Sequence, residues 1–223
     1  MNKLIGIVLC IILLLSGVAT IISCSGDSEE IKELSKVEVT EYEGRNLSSI
    51  EDFRENSIAG PQEIDIDDYE LKVIGQIKNP TSYSYEEVID KYPSYQKVVT
   101  LNCVEGWSAT ILWEGLLVKD LLEDAELLPD AKVVIFHAYD GYTTSLPIDY
   151  LLENDIMIAY KMNGVSLPPE RGFPFQLVAE SKWGYKWIKW ITQINVSEDE
   201  DFRGFWELRG YANSGDLDKG FFE

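Results

Sequence analysis

The chain has 223 residues, 45% of them hydrophobic, and carries 39 Asp and Glu against 19 Lys and Arg, a formal net charge of −20. So acidic a surface is repelled by phosphate backbones and anionic lipid headgroups, which excludes nucleic acid as a partner and favours solubility and cationic partners. The apolar fraction is ample for a core, which excludes a disordered chain and fits one sizeable domain behind a leader.

The N-terminus reads Met1-Asn2-Lys3, followed by an uncharged apolar run over residues 4–22 and then Ser23-Cys24-Ser25-Gly26-Asp27. This is the pattern of an export signal, and its length also suits an uncleaved membrane span. Ile21-Ile22-Ser23-Cys24 has the form of a lipoprotein processing box, in which a small residue precedes a cysteine that becomes lipidated, so Cys24 is the expected lipid anchor. Either way residues 1–24 form a signal or N-terminal anchor, and the rest of the chain is expected outside the cytoplasmic membrane, tethered to it. Cys10 lies within that signal and has no role in the folded domain. Residues 25–52, rich in Ser, Glu and Lys, suit an acidic linker that holds the domain off the membrane. The domain itself is expected over residues 53–207, with a C-terminal tail over 208–223.

After Gly60-Pro61 the residues Ile64, Ile66, Leu71, Val73 and Ile77 alternate with polar ones at a spacing of two, the pattern of a strand that Asn79-Pro80 ends. Ser84-Tyr85-Glu86-Glu87 has the spacing of a capping box, which predicts a short helix to Lys91, closed by Pro93. Residues 97–102 are rich in β-branched side chains and predict a strand that delivers Cys103 to its end. Gly115 opens a predicted helix over 116–125, on which Leu116, Leu117, Leu121, Leu122 and Ala125 form a core-facing stripe. A strand over 133–136, a hairpin turn at Tyr139-Asp140-Gly141-Tyr142 and a returning strand over 143–146 follow. Next come a short helix over 147–154, a strand over 156–161, a tight turn at Asn163-Gly164, and strands over 172–180 and 187–196. Many short strands with few short helices, and no regular strand-helix alternation, predict an α+β domain with mixed, mainly antiparallel sheets. No glycine-rich phosphate loop of the P-loop or dinucleotide kind is present.

Once residues 1–24 are set aside, Cys103 is the one thiol left, in Leu101-Asn102-Cys103-Val104-Glu105-Gly106-Trp107. An unpaired cysteine in an exported chain has no disulfide to form, which leaves a small buried apolar residue, a metal ligand or a reactive thiol. His137 is the single histidine and no Gly-x-Ser-x-Gly elbow accompanies it, so a serine triad would need scattered residues. A Cys103-His137 nucleophile pair has no supporting signature, and a structural zinc site lacks ligands. His137 is expected to be a satisfied polar residue at a strand end. Between Pro168 and Trp190, Lys182, Lys186 and Lys189 join Arg171 among several aromatics. Such a positive patch could hold a phosphate with a flat heterocycle, or the aromatics could pack a sheet while the lysines reach to water.

Four blocks occur in order: Cys103-Val104-Glu105-Gly106-Trp107, then Tyr139-Asp140-Gly141-Tyr142-Thr143-Thr144-Ser145-Leu146-Pro147, then Asn163-Gly164 with Leu167-Pro168-Pro169, then Trp183-Gly184-Tyr185-Lys186 running to Lys189. Together they resemble the sulfite oxidase family of molybdopterin-binding oxidoreductases, which includes the periplasmic methionine sulfoxide reductase catalytic subunit, over residues 60–207. The resemblance implies that family's fold and a Mo-molybdopterin cofactor whose metal is ligated by the Cys103 thiolate beside the dithiolene of the pterin. A soft thiolate suits a metal that cycles its oxidation state. By the same resemblance Trp187, Ile188 and Lys189 match the stretch that holds the pterin phosphate, and Lys186 matches the lysine before it. Arg54 and Asn56 match the early cofactor-contacting loop.

The chain also departs from the pattern. Arg171 and Gln176 stand where relatives usually have His or Asn and then Arg, so a positive charge near the phosphate or the substrate has moved, and Ala138 stands where the reductase relatives carry a cofactor-contacting Thr. Residues 1–3 lack the twin-arginine signal by which folded holoenzymes of this kind are exported. The implied function is extracytoplasmic oxo transfer on a small sulfur- or nitrogen-containing substrate. An external electron-transfer protein is implied as partner, because the chain has no haem-attachment motif or flavin fingerprint. The alternative is a cofactor-free lipoprotein that uses the same fold as an anion- or partner-binding module.

Overall fold

A computed structural model describes residues 29–222. The expected signal, Cys10 and the Cys24 lipidation site lie outside the described residues, and among those described no helix is long and apolar enough to cross a membrane.

The strands are β1 (Glu41–Tyr42), β2 (Arg45–Asn46), β3 (Leu71–Gly75), β4 (Thr81–Tyr83), β5 (Tyr95–Asn102), β6 (Ser108–Leu117), β7 (Val133–Ala138), β8 (Thr143–Pro147), β9 (Met157–Met162), β10 (Val165–Ser166), β11 (Gln176–Val178) and β12 (Ile191–Ser197). The helices are α1 (Glu29–Leu34), α2 (Tyr85–Lys91), α3 (Val118–Ala125) and α4 (Ile148–Glu153). One five-stranded sheet runs β10-β9-β6-β5, with β11 also paired to β9, and a second runs β4-β3-β12-β7-β8. Among the described residues every strand pairing is antiparallel except β3 with β12. The fold is therefore the α+β arrangement with mixed, mainly antiparallel sheets that the strand spacing predicts. Side chains of both sheets, among them Trp113, Ile111, Phe136, Leu146 and Ile194, share a single core.

The local chemistry of the expected elements is visible atom by atom. Ser84 Oγ accepts from the Glu87 N–H at 3.2 Å while the Glu87 carboxylate accepts from the Ser84 N–H at 2.8 Å, so α2 begins with the reciprocal cap its sequence encodes. The predicted strand ending at residue 102 is β5, and α4 lies between Pro147 and Asn154 as expected.

Three expectations are corrected. The stretch from Ser108 to Leu117, which carries the predicted start of a helix at Gly115, is β6, the partner of both β5 and β9. It is buried almost continuously, with Ile111, Leu112 and Trp113 all inside, so the alternation that marks a half-exposed strand is missing. Gly115 belongs there because a Cβ would lie 2.0 Å from the Ile158 carbonyl oxygen. The expected strands over 172–180 and 187–196 shorten to β11 and β12, and Ile64 and Ile66 precede β3 rather than belonging to it.

The expected linker is not a tether from Glu29 onward. Ile31 and Ile50 are fully buried. The Glu38 carboxylate accepts from Ser49 Oγ at 2.5 Å, from the Ile50 N–H at 3.0 Å and from Asn163 Nδ2 at 2.8 Å. The segment after residue 207 likewise packs back on the domain: the Trp183 N–H donates to the Gly215 carbonyl at 2.8 Å and Tyr185 Oη to the Ala212 carbonyl at 2.7 Å.

Candidate functional site

The β5–β6 hairpin sets the position of Cys103. The Cys103 N–H donates to the Trp107 carbonyl at 2.9 Å and the Gly106 N–H to the Cys103 carbonyl at 3.1 Å, a tight reversal that needs the left-handed conformation Gly106 adopts at φ +85°. On the other side Asn102 bridges in parallel to Trp183, which brings Gly184 against Cys103. A Cβ on Gly184 would come within 3.4 Å of Cys103 Cα and 3.2 Å of the Asn102 carbonyl oxygen. The two sequence blocks farthest apart in the chain thus meet at the thiol.

Cys103 lines a cavity of about 360 Å³, within the range of small-molecule and cofactor pockets. Its thiol is buried and, among the described residues, is the only free cysteine. Asn56 Nδ2 donates to Cys103 Sγ at 3.4 Å. Burial pushes the thiol pKa up, with the Glu105 charge adding to it, while the Glu105 N–H, Asn56 and Arg54 act in the opposite direction. A metal cation at the sulfur would reverse that balance, because a coordinating thiol is deprotonated.

Arg54, Asn56, Arg171, Trp187, Ile188 and Lys189 also line this cavity, so the structure brings them together with Cys103. Lys189 Nζ donates to Glu55 Oε1 at 2.8 Å and to the Glu170 carbonyl at 3.1 Å, and lies 4.2 Å from the centre of the Trp190 ring. Burial lowers its pKa and the Glu55 carboxylate raises it, the first being the larger effect. Arg171 Nη2 donates to the Ile50 and Phe53 carbonyls at 3.0 and 3.3 Å, and its guanidinium lies over the Phe53 ring. Its position ties the segment at residues 50–53 to the cavity wall. Gln176 lines the cavity as well, and Ala138 does not.

Lys186 is the exception among the expected cofactor residues. Its side chain is fully buried, with Nζ donating to Glu207 Oε1 at 2.6 Å and to the Ser145 carbonyl at 3.1 Å, and it is not among the residues that line the cavity. A buried ammonium needs a partner, and here Glu207, 21 positions later, is the partner instead of a ligand. His137 also lies off the cavity, so it forms no pair with Cys103 there. It stands near the end of β7, but its Nε2 is buried with no hydrogen-bond partner among the described residues, contrary to the satisfied polar residue expected. No cluster of three or more His, Cys, Asp or Glu suited to a metal ion occurs among the described residues, so a metal at Cys103 needs most of its ligands from elsewhere.

Residues given no role by the sequence complete the wall. Ser57 Oγ and Trp107 Nε1 are buried there without a hydrogen-bond partner among the described residues. Leaving such groups unmade costs about 1–3 kcal/mol each, a cost that a polar ligand in the cavity removes. Ser57 follows Asn56 and Trp107 closes the block that begins at Cys103, but nothing in the sequence at either position marks an unpaired polar atom. Tyr142, Tyr185, Trp206 and Tyr211 make an aromatic side of the cavity, and Tyr211 comes from the expected tail.

The residues present fit a pterin cofactor that carries a metal. The cavity has one thiol, orphaned polar atoms, aromatic faces for a flat ring system, and the cations Arg54, Arg171 and Lys189 in its wall.

Comparison with known proteins agrees with this chemistry. The family model described as the oxidoreductase molybdopterin binding domain matches residues 58–206. The chain is 37% identical over 153 residues to "Uncharacterized oxidoreductase YuiH" of Bacillus subtilis (strain 168), an alignment covering 68% of this chain and 76% of that protein. It is 31% identical over 150 residues to the putative protein-methionine-sulfoxide reductase subunit YedZ1 of Azospira oryzae, covering 67% of this chain and 56% of that one. It is 29% identical over 161 residues to the NADPH nitrate reductase of Fusarium oxysporum, covering 60% of this chain and 18% of that one. Among solved structures, the sulfane dehydrogenase SoxCD from Paracoccus pantotrophus superposes with a TM-score of 0.62 at 19% identity, covering 84% of this chain and 56% of that one, a likeness of fold.

Proposed function

The chain belongs to the oxidoreductase molybdopterin-binding domain family, and from that premise we propose that it is an extracytoplasmic, membrane-tethered enzyme that moves an oxo group to or from a small sulfur- or nitrogen-containing substrate. The family's cofactor is Mo-molybdopterin, which when bound supplies a redox-active metal able to exchange an oxygen atom and electrons with a substrate. The observation that carries the proposal is the thiol of Cys103 on the wall of a cavity, with the Asn56 amide donating to its sulfur.

Cys103 would supply the thiolate ligand to the metal. The Asn56 N–H stabilises negative charge on that sulfur and holds its side-chain orientation. Lys189, with the backbone of Trp187 and Ile188, would hold the phosphate of the pterin, and Arg54 adds positive charge near Cys103. Tyr142, Trp206 and Tyr211 give the cavity an aromatic surface against which a substrate would pack. Arg171 acts indirectly, by fixing the Ile50 and Phe53 carbonyls and so the segment that bears Arg54 and Asn56. An external electron-transfer protein balances the electrons of each turnover, and the −20 formal charge favours a cationic one. The membrane link and the extracytoplasmic location rest on the apolar N-terminal run and Cys24.

Elemental analysis of protein purified from its native host tests this reading. Molybdenum stoichiometric with the chain is expected, and Cys103→Ser should bring it to background while the circular dichroism of the folded chain is retained. Native protein free of molybdenum, with Cys103→Ser indistinguishable from it, overturns the proposal in favour of a cofactor-free binding module.

A further inference from the structure

Residues 53–58 all line the cavity, and this strap has neither helix nor strand hydrogen bonding. It is held at one end by Arg171 on the Phe53 carbonyl and further along by Asn56 on the Cys103 sulfur. Between those fixed points Glu55 reaches across to Lys189. The Lys189 ammonium has three protons, and its surroundings offer three partners: the Glu55 carboxylate, the Glu170 carbonyl and the face of Trp190. A second anion therefore has to take the place of one of them. The Glu170 carbonyl and the Trp190 ring are neutral and tolerate a neighbouring phosphate. The Glu55 carboxylate does not, because like charges sharing one cation repel in a poorly solvated site. Glu55 is also the partner with somewhere to go, its side chain being 28% exposed against 16% for Lys189.

We propose that Glu55 is an exchangeable counter-ion for Lys189: it occupies the anion site of the cofactor cavity and is released when the cofactor's phosphate takes the ammonium. The inference rests on the reading that Lys189 receives that phosphate. Two consequences follow from the exchange. Lys189 keeps a compensating charge before the cofactor arrives, which avoids an unpaired buried cation. Free phosphate and sulfate are also kept out, since an ion with no contact other than Lys189 has to displace a tethered carboxylate, whereas a ligand that also reaches Cys103 and the aromatic wall has further contacts to offset that cost.

The test is calorimetric titration of inorganic phosphate into full-length protein produced in a host unable to make the cofactor. Wild type should bind weakly. Glu55→Gln and, as a second variant, Glu55→Ala should bind at least about tenfold more tightly, the difference expected for removing one competing charge-assisted bond. Glu55→Gln combined with Lys189→Met should lose the gain, and Cys103→Ser should leave phosphate binding as in wild type. Equal or weaker binding by both Glu55 variants overturns the inference, as does a gain that survives Lys189→Met or an absence of phosphate binding in every variant. Because the titration needs no metal and the molybdenum content of Cys103→Ser is measured separately, the failure of one reading is distinguishable from the failure of the other.

Discussion

Lys186 Nζ and Glu207 Oε1 meet at 2.6 Å with neither side chain exposed, and Thr144 Oγ1 donates to the same carboxylate oxygen at 2.7 Å. The pair joins the Gly184–Lys186 turn beside Cys103 to the C-terminal segment that supplies Trp206 and Tyr211 to the cavity. Removing one member of a buried pair leaves the other uncompensated, at a cost of about 3–5 kcal/mol, whereas replacing both with apolar groups is often near neutral. Lys186→Met and Glu207→Leu should each destabilise by that amount in urea unfolding, and the double variant should recover most of it. Additive losses in the double variant would contradict a pairwise role.

Asp216 fastens the same segment through Lys182 and Lys219. Burial alone raises its carboxyl pKa, but the hydrogen bonds from those two lysines outweigh burial and hold it at about 2, against an ordinary value of 3.8. A carboxyl depressed on folding stabilises the native state above its unfolded pKa and loses that contribution as pH falls toward its folded one. The stability difference between wild type and Asp216→Asn should be constant above about pH 5, shrink progressively below it, and vanish only below about pH 2. Urea melts across that window measure it, and a difference that persists at the acid end would refute the assignment.

Two glycine substitutions should separate folding from site geometry. Gly115→Ala places a methyl group 2.0 Å from the Ile158 carbonyl oxygen, so β6 and β9 must part, and a loss above about 4 kcal/mol is expected. Gly184→Ala meets Asn102 and Cys103 at 3.2–3.4 Å, a contact relieved by a shift of tenths of an ångström. Its stability should change by about 1 kcal/mol or less, while molybdenum content falls because the turn moves off the thiol. Melting curves and metal analysis on the same samples distinguish the two outcomes.

Ile31 offers a test of the N-terminal segment. In a tether its truncation would be silent, within about 0.5 kcal/mol. Fully buried as it is, Ile31→Ala should cost about 2–5 kcal/mol in urea unfolding.

What the sequence discloses is whatever its local physics determines. The Ser84–Glu87 cap, the strand before Cys103 and the hairpin turn at residues 139–142 each depend on residues a few positions apart, and each is present. β6 escapes because burial on both faces removes the alternation that marks a strand and because Gly115 reads as a break, although its role is the close approach of β9. The N-terminal segment escapes because only Ile31 and Ile50 are buried among many charged residues, too few to set a periodic pattern. In the site, Cys103 and Lys189 are legible from their blocks, whereas the fate of a lysine depends on a carboxylate elsewhere in the chain. Nothing near Lys186 announces Glu207, and nothing near Lys189 announces Glu55.

Ile31 of α1 is fully buried in the domain, and Cys24 stands seven positions before it. Seven residues of fully extended chain span at most about 25 Å. If Cys24 is lipidated, as we propose, the domain can stand no farther than that from the headgroups, and a redox donor would have to approach from a side that faces away from them.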